Sequence, residues 1–160
     1  FWDMFIVDAL IGNWDRHNGN WGFLYYRDTD RMTLAPIYDC GSCLYPQADE
    51  AIMQATLDDP NERNYRIFEV PVSGIRENNQ KIRYFDFISS LKNRDCNEAL
   101  KRMVPRIHMD EIAALVDDMP FITGLQKRFY KTMLAERKER ILDSSLTRLL
   151  KRERKHEAAR

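Results

Sequence analysis

Cysteine and long hydrophobic stretches are scarce in this chain of 160 residues. Its three cysteines are too few for a disulfide framework, and the odd count leaves at least one free thiol, which is typical of a reducing compartment. Charge-free runs such as Met4 to Val7 and Cys40 to Ala48 are far shorter than the roughly 18 apolar residues of a membrane-spanning helix. These absences exclude a disulfide-stabilised secreted domain and a transmembrane helix, and they predict a cytoplasmic location.

Lysine is missing from the first half of the chain, and the first one is Lys81. The net charge of zero conceals an uneven distribution of acidic and basic residues along the sequence. Residues 1–60 carry ten acidic and three basic side chains, whereas residues 61–160 carry fifteen acidic and twenty-two basic ones. An acidic segment can hold a cation. In the second half, lysine and arginine interleave with glutamate at helical spacing, which favours a solvated helix surface over a phosphate-binding one.

The periodicity of apolar residues predicts a mainly α-helical fold with one small β-hairpin, an α+β class. Apolar positions in residues 1–10 form a helical stripe that ends at Gly12. Two β-favouring runs at residues 21–26 and 32–38 flank a turn-like segment at 27–31, which predicts the hairpin.

The second half of the chain is predicted to be helical after an irregular stretch. Residues 46–79 contain several prolines and no strong periodicity, so we expect a loop region with at most short helices, such as Glu50 to Leu57. Residues 80–150 show repeated helical stripes, with Asp95 and Thr123 as candidate N-caps.

We therefore predict one domain over residues 1–150, in which residues 1–45 contain the chemically informative motifs. Residues 151–160 are basic and lack an apolar face, so we expect a frayed tail. The chain begins at Phe1 without a leader pattern, and we interpret it as a piece of a longer protein.

Three oxygen-bearing side chains are spaced as a phosphoryl-transfer site requires. Asp15 and Asn20 lie five residues apart in a polar loop between the first helix and the hairpin, and Asp39-Cys40-Gly41 follows the hairpin. The two ends of a hairpin are neighbours, so we expect Asp39 to lie close to the loop. Kinase catalytic loops use this Asp-to-Asn offset, with the aspartate beside the acceptor hydroxyl and the asparagine on Mg²⁺. The spacing thus predicts a site for magnesium and a nucleophilic hydroxyl.

The run from Asp8 to Leu24 (DALIGNWDRHNGNWGFL) and the run from Ala35 to Ser42 (APIYDCGS) resemble the C-terminal domain of the HipA-like kinases. That family includes the toxin kinases of bacterial toxin–antitoxin pairs and secreted relatives, and a secreted member would not be cytoplasmic. The resemblance implies a kinase-like C-terminal lobe, ATP and Mg²⁺ as cofactors, and a protein serine or threonine hydroxyl as acceptor. An antitoxin or another regulatory protein is a possible partner on the same grounds.

The resemblance also implies a role for individual residues. Asp15 matches the catalytic aspartate, and Asn20 and Asp39 match the pair that binds the metal and, through it, the nucleotide. His17 matches a histidine that braces the catalytic loop in kinase-like folds.

The phosphate-binding elements of a kinase N-terminal lobe are not recognisable in this sequence. Kinases cover the phosphates with a glycine-rich loop and anchor them with a lysine, both upstream of the catalytic loop. Only 14 residues precede Asp15, and none is a lysine. We therefore expect the C-terminal lobe of a longer kinase, with the N-terminal lobe missing and little or no activity alone.

Two other functions stay open. The order Asp15-Arg16-His17 also resembles the catalytic loop of phosphoinositide kinases, and the basic run from Lys151 to Lys155 is the candidate membrane-facing surface for such a lipid kinase. A catalytically dead binding or regulatory domain is the other alternative. Nucleic-acid binding is not indicated, since no helix-turn-helix pattern is recognisable.

Several residues near the motifs have simpler interpretations. Cys40 and Cys43 have the spacing of a zinc or redox half-site, but the other cysteine and the histidines supply no matching pair. We expect both to be buried small residues instead. Arg16 could steer a phosphate or pair with a nearby acid, and the sequence does not decide between these roles. Trp14 and Trp21, which flank the loop, are expected in the core.

Overall fold

Twelve α-helices and β-strands account for most of residues 1–158, the part of the chain that the computed structural model describes. The helices are α1 (Trp2–Ile11), α2 (Glu50–Asp58), α3 (Pro60–Phe68), α4 (Tyr84–Ser90), α5 (Arg94–Met103), α6 (Met109–Asp118), α7 (Gly124–Arg137) and α8 (Ser144–Ala158). The strands are β1 (Phe23–Tyr26), β2 (Arg31–Leu34), β3 (Val72–Glu77) and β4 (Gln80–Arg83). Short 3₁₀ turns occur at Arg27–Thr29 and Val104–Arg106, and a π-helical segment, Lys138–Asp143, joins α7 to α8. The predicted α+β class is confirmed.

Helix α1 lies at the centre of the core. It packs against α5 and α7, and its side chains Phe5, Ile6 and Ala9 are completely buried. Across from them, α7 contributes the buried Phe129, and the π-helical segment contributes Ile141. Burying an aromatic or large aliphatic side chain of this kind contributes roughly 1.5–3 kcal/mol, so the loop that follows α1 is attached to a well-packed core helix.

The local signals at two helix ends act as predicted. Helix α1 stops because Gly12 adopts the left-handed conformation, with φ of 66°. Helix α7 begins with a capping box, in which the Thr123 hydroxyl accepts from the Gln126 N–H and the Gln126 side chain accepts from the Thr123 N–H. At α5 the N-cap is Asn93, whose Oδ1 accepts from Cys96 N at 2.9 Å, while Asp95 lies in the first turn.

The first hairpin is confirmed, and the structure adds a second. Strands β1 and β2 are antiparallel with Phe23 opposite Leu34. Strands β3 and β4 form another antiparallel pair, with a bulge between Val72 and Arg76. The sequence concealed β3 because polar and glycine residues interrupt its alternation.

Two expectations about irregular segments need correction. Residues 46–79 are largely ordered into α2, α3 and β3, and the helices start at the side-chain caps Asp49 and Asp59. The short helix predicted at Glu50 to Leu57 is confirmed by α2, whereas α3 and β3 were not expected. Residues 151–158 continue α8 instead of fraying; Lys101 Nζ lies 2.9 Å from Glu153 Oε1, which ties this part of α8 to α5. The last two residues of the predicted tail lie outside the described part. The division into a domain at 1–150 and a tail stays a prediction.

Within residues 1–158, no helix combines the length and apolar character needed to cross a membrane.

Candidate active site

The loop between α1 and β1 presents Asp15 at the surface. After Gly12 turns the chain, the buried Asn13 side chain donates to Asp8 Oδ1 at 2.9 Å, and its own Oδ1 accepts from the Asp15 N–H at 3.1 Å. An asparagine that bonds its backbone two residues on holds a tight turn. The Asp15 side chain is therefore exposed on a loop whose base is fixed to α1.

Arg16 forms a buried ion pair with Asp8 beneath this loop. Its Nε lies 2.8 Å from Asp8 Oδ2 and its Nη2 lies 3.1 Å from Asp8 Oδ1, and both side chains are essentially inaccessible. The hydrogen bond to Asp8 raises the pKa of Arg16, so the guanidinium stays charged. Of the two roles left open for Arg16, the structure selects pairing with an acid.

The same guanidinium joins the loop to the segment after the hairpin. Arg16 Nη1 donates to the backbone oxygen of Asn20 and, at 2.8 Å, to that of Tyr38. The Tyr38 hydroxyl donates to Gly19 O at 3.0 Å. Asn20 and Asp39, the residue after Tyr38, are in this way held next to a common anchor, as the hairpin argument predicted.

Asn20 is positioned to act through its amide oxygen. It is 5% exposed, and its Nδ2 donates to Asp15 O at 2.9 Å. This bond occupies the amide nitrogen and leaves Oδ1 available. Asp39 is exposed and has a left-handed φ of 55°. An amide oxygen and a carboxylate are hard ligands that fit Mg²⁺, which is usually held by one or two carboxylates together with substrate phosphates and water.

The candidate metal ligands do not form a self-sufficient protein cage. Among residues 1–158, no group of three His, Cys, Asp or Glu side chains could hold a metal ion. The roles of Asp15, His17, Asn20 and Asp39 stay predictions.

His17 makes a local contact. Its imidazole is exposed, and Nδ1 accepts from the Gly19 N–H at 3.0 Å, which closes a turn within the loop. The longer-range support of the loop comes from Arg16.

Two residues beyond position 70 pack against the loop from behind. A Cβ added to Gly74 of β3 would lie 2.8 Å from Arg16 O, so the backbone of the loop fits only against glycine. Tyr84 of α4 is buried, and its hydroxyl donates to Asn13 O at 2.5 Å. Burial raises the pKa of Tyr84, which keeps this donor protonated.

Arg137, the last residue of α7, binds the backbone at the C-terminal end of α1. It is 1% exposed; Nε donates to Ala9 O at 2.7 Å, and Nη1 donates to Arg66 O and Ile67 O at 3.2 and 3.1 Å. These carbonyls lie in the last turns of α1 and α3, where a helix dipole favours a cation. Arg137 thereby stabilises the helix end from which the loop departs.

Sequence reasoning missed Asp8, Gly74, Tyr84 and Arg137 as parts of the site. The one signal available in the sequence was Asp8 itself, an acidic residue inside the apolar stripe of α1. The other three lie more than 50 residues from the loop, so only the tertiary fold connects them with it.

The cysteine and tryptophan expectations are partly wrong. Cys40, Cys43 and Cys96 are free thiols, but Cys40 is exposed and Cys43 is half-buried. Trp14 is 44% exposed, because Gly12 and Asn13 turn the chain outward before it. Trp21 is partly buried against the rings of Phe1 and Phe23.

Comparison with known proteins identifies a family, a similar protein and a similar solved structure. The family model described as the HipA-like C-terminal domain matches residues 1–119. The serine/threonine-protein kinase CtkA of Helicobacter pylori is 47% identical over 160 residues, which cover 99% of this chain and 49% of that protein. A crystal structure of a Helicobacter pylori proinflammatory kinase CtkA superposes with a TM-score of 0.90 at 48% identity, covering 94% of this chain and 55% of that one. The chain spans about half the length of the curated relative it matches.

Proposed function

The chain belongs to the family of the HipA-like C-terminal domain, and on that premise we propose that it is the catalytic C-terminal lobe of a serine/threonine protein kinase that uses ATP and Mg²⁺. The similarity to a kinase at 47% identity supports this proposal.

The observation that carries the proposal is that Arg16 donates hydrogen bonds to two backbone oxygens on different segments. One guanidinium nitrogen serves the backbone oxygens of both Asn20 and Tyr38, so the loop and the segment that begins with Asp39 share one rigid support. Phosphoryl transfer depends on positioning and electrostatic stabilisation more than on covalent chemistry by the protein. A buried, charged support for the candidate ligands matches that requirement.

In the proposed reaction, the Asp15 carboxylate orients the acceptor hydroxyl and takes its proton. The acceptor oxygen forms a bond to the γ-phosphorus of ATP while the bond from that phosphorus to the β–γ bridging oxygen breaks, which yields a phosphoester and ADP. Asn20 Oδ1 and the Asp39 carboxylate hold Mg²⁺, which neutralises phosphate charge when it is bound. His17 keeps the loop turn closed.

We propose that these 160 residues alone transfer phosphate weakly or not at all. No lysine precedes Asp15, and nothing upstream of it in this sequence resembles a glycine-rich loop. The N-terminal half of the longer protein is expected to supply both.

The test is calorimetry of ATP binding to the full-length protein, with and without Mg²⁺. We expect binding that needs the metal and that weakens at least tenfold in Asp39→Asn. Asp28→Asn, an exposed carboxylate in the hairpin turn, is the matched control and should bind as the wild type does. Metal-independent binding, or equal affinity in both variants, would remove Asp39 from the metal site.

A protein acceptor is preferred to a lipid because of the HipA-like family membership. The lipid alternative requires a membrane-facing basic surface, and Arg148, Lys151, Arg152 and Lys155 do border one shallow cavity on α8. Sedimentation with vesicles rich in anionic lipid distinguishes the two. An antitoxin or regulatory partner and a cytoplasmic location are proposals that co-purification and fractionation can test.

A further inference from the structure

A cavity of about 240 Å³ opens beside the candidate catalytic loop. It lies between the end of α1, the segment after Asp39, the start of α2 and the segment before β3. Its lining is predominantly apolar and includes Trp14, Tyr45, Pro46, Ile52, Val70 and Pro71.

Two chain connections tie this cavity to the proposed chemistry. Trp14, which is 44% exposed, directly precedes Asp15, and Ser42 of the lining follows Asp39 by three residues. The cavity is therefore lined in part by the loop that bears Asp15 and by the segment that follows Asp39.

The size and polarity of the cavity indicate what fits. Pockets for whole drug-sized ligands measure roughly 300–1,000 Å³, so this smaller cavity suits a single side chain. Arg66 is the charged residue in the lining, and its guanidinium is paired with Glu62 at 2.8 Å. An extended segment of a protein substrate can place one large apolar side chain in a cavity of this size, as peptides do in grooves with side-chain pockets.

We propose that this cavity is a specificity pocket for the protein substrate. It binds one large apolar side chain of an extended segment, at a fixed position beside the serine or threonine that meets Asp15. This proposal rests on the proposed kinase function and adds the sequence preference of the acceptor.

The test uses the full-length protein and a library of peptides with one central serine or threonine and each residue type at every flanking position. Ala48 is partly buried in the cavity lining, whereas Ala51 is exposed three residues later, so Ala48→Leu and Ala51→Leu are a matched pair. One methylene changes discrimination by a hydrophobic pocket roughly 10–200-fold. We expect Ala48→Leu to lower kcat/KM about tenfold for peptides with the preferred large apolar residue. For peptides with alanine at that position, kcat/KM should stay unchanged. Ala51→Leu should match the wild type.

A second variant keeps the test decisive if Ala48→Leu does not fold. Ile52→Ala enlarges the same cavity and should move the preference toward larger aromatic residues at that one position. Two results would overturn the pocket proposal while leaving the kinase function intact. One is phosphorylation with no apolar preference at any peptide position, and the other is a preference that both cavity variants leave unchanged. Mg²⁺-dependent ATP binding without transfer to any peptide would also count against the pocket. Loss of ATP binding as well would overturn the proposed function itself.

Discussion

The carboxylate of Asp8 and the guanidinium of Arg16 form a two-point ion pair that is closed off from solvent beneath the loop bearing Asp15. Burying two charges costs free energy that only good geometry and further hydrogen bonds offset. Here the remaining donors of Arg16 serve Asn20 O and Tyr38 O, and Asp8 also accepts from Asn13. The pair thereby joins α1, the candidate catalytic loop and the segment after the hairpin.

Removing one member of this pair should be costly. We expect Asp8→Asn to lower the free energy of unfolding by about 3–5 kcal/mol, because it leaves Arg16 buried without its counter-charge. Urea denaturation measures the change. Asp3 is the matched control, since it also lies on α1 and pairs with an arginine, Arg102, but both side chains are about half exposed. Asp3→Asn should cost at most about 1 kcal/mol. Equal losses in the two variants would contradict a special role for the buried pair.

Gly74 should tolerate no side chain. In Gly74→Ala the new Cβ would meet the carbonyl oxygen of Arg16 at 2.8 Å, so the loop or β3 must shift. We expect a loss of about 1–3 kcal/mol in unfolding free energy and weaker Mg²⁺-dependent ATP binding by the full-length protein. Gly124→Ala at the start of α7, where a Cβ meets no atom within 4 Å, is the control and should be neutral in both measurements. Wild-type ATP affinity in Gly74→Ala would show that the loop does not depend on this contact.

Asp15→Asn should separate binding from chemistry. The side chain is exposed and no ion pair within residues 1–158 uses it, so the substitution leaves the fold and the metal ligands in place. We expect ATP affinity of the full-length protein to change less than twofold, while phosphoryl transfer falls about 10²–10⁴-fold because the acceptor proton has no base. Calorimetry and a radiolabelled transfer assay give the two numbers. Full turnover would eliminate Asp15 as the catalytic residue.

The two cysteines near Asp39 should differ in reactivity. Burial raises the pKa of Cys43 to about 12, so at pH 8 this thiol is almost entirely protonated and a poor nucleophile. Cys40 is exposed. With limiting iodoacetamide at pH 8, mass spectrometry should find Cys40 modified first, and labelling of Cys43 should increase as the pH approaches 12. Faster modification of Cys43 at pH 8 would show that it is accessible as a thiolate.

Local sequence patterns predicted the elements whose signals lie within a few residues. Gly12 ends α1 through its left-handed conformation, and Thr123 begins α7 with a capping box, both visible in the sequence. The spacing of Asp15, Asn20 and Asp39 also predicted that they would meet around one hairpin. Short elements escaped prediction: β3 and α3 lack a clean alternation or stripe, since their packing partners decide which face is buried.

The amino-acid sequence by itself determined the helical class and the first hairpin, because helix caps, turn residues and hairpin closure act over short distances. It also predicted Asp15 as the catalytic residue and Asn20 and Asp39 as the metal ligands. The tertiary structure decided what supports them. Arg16 became a buried anchor, Gly74 a point of backbone contact and Arg137 a clamp on the end of α1, since each depends on which distant segment packs beside it. It also left Trp14 at the surface, in the lining of the cavity that we propose binds a substrate side chain.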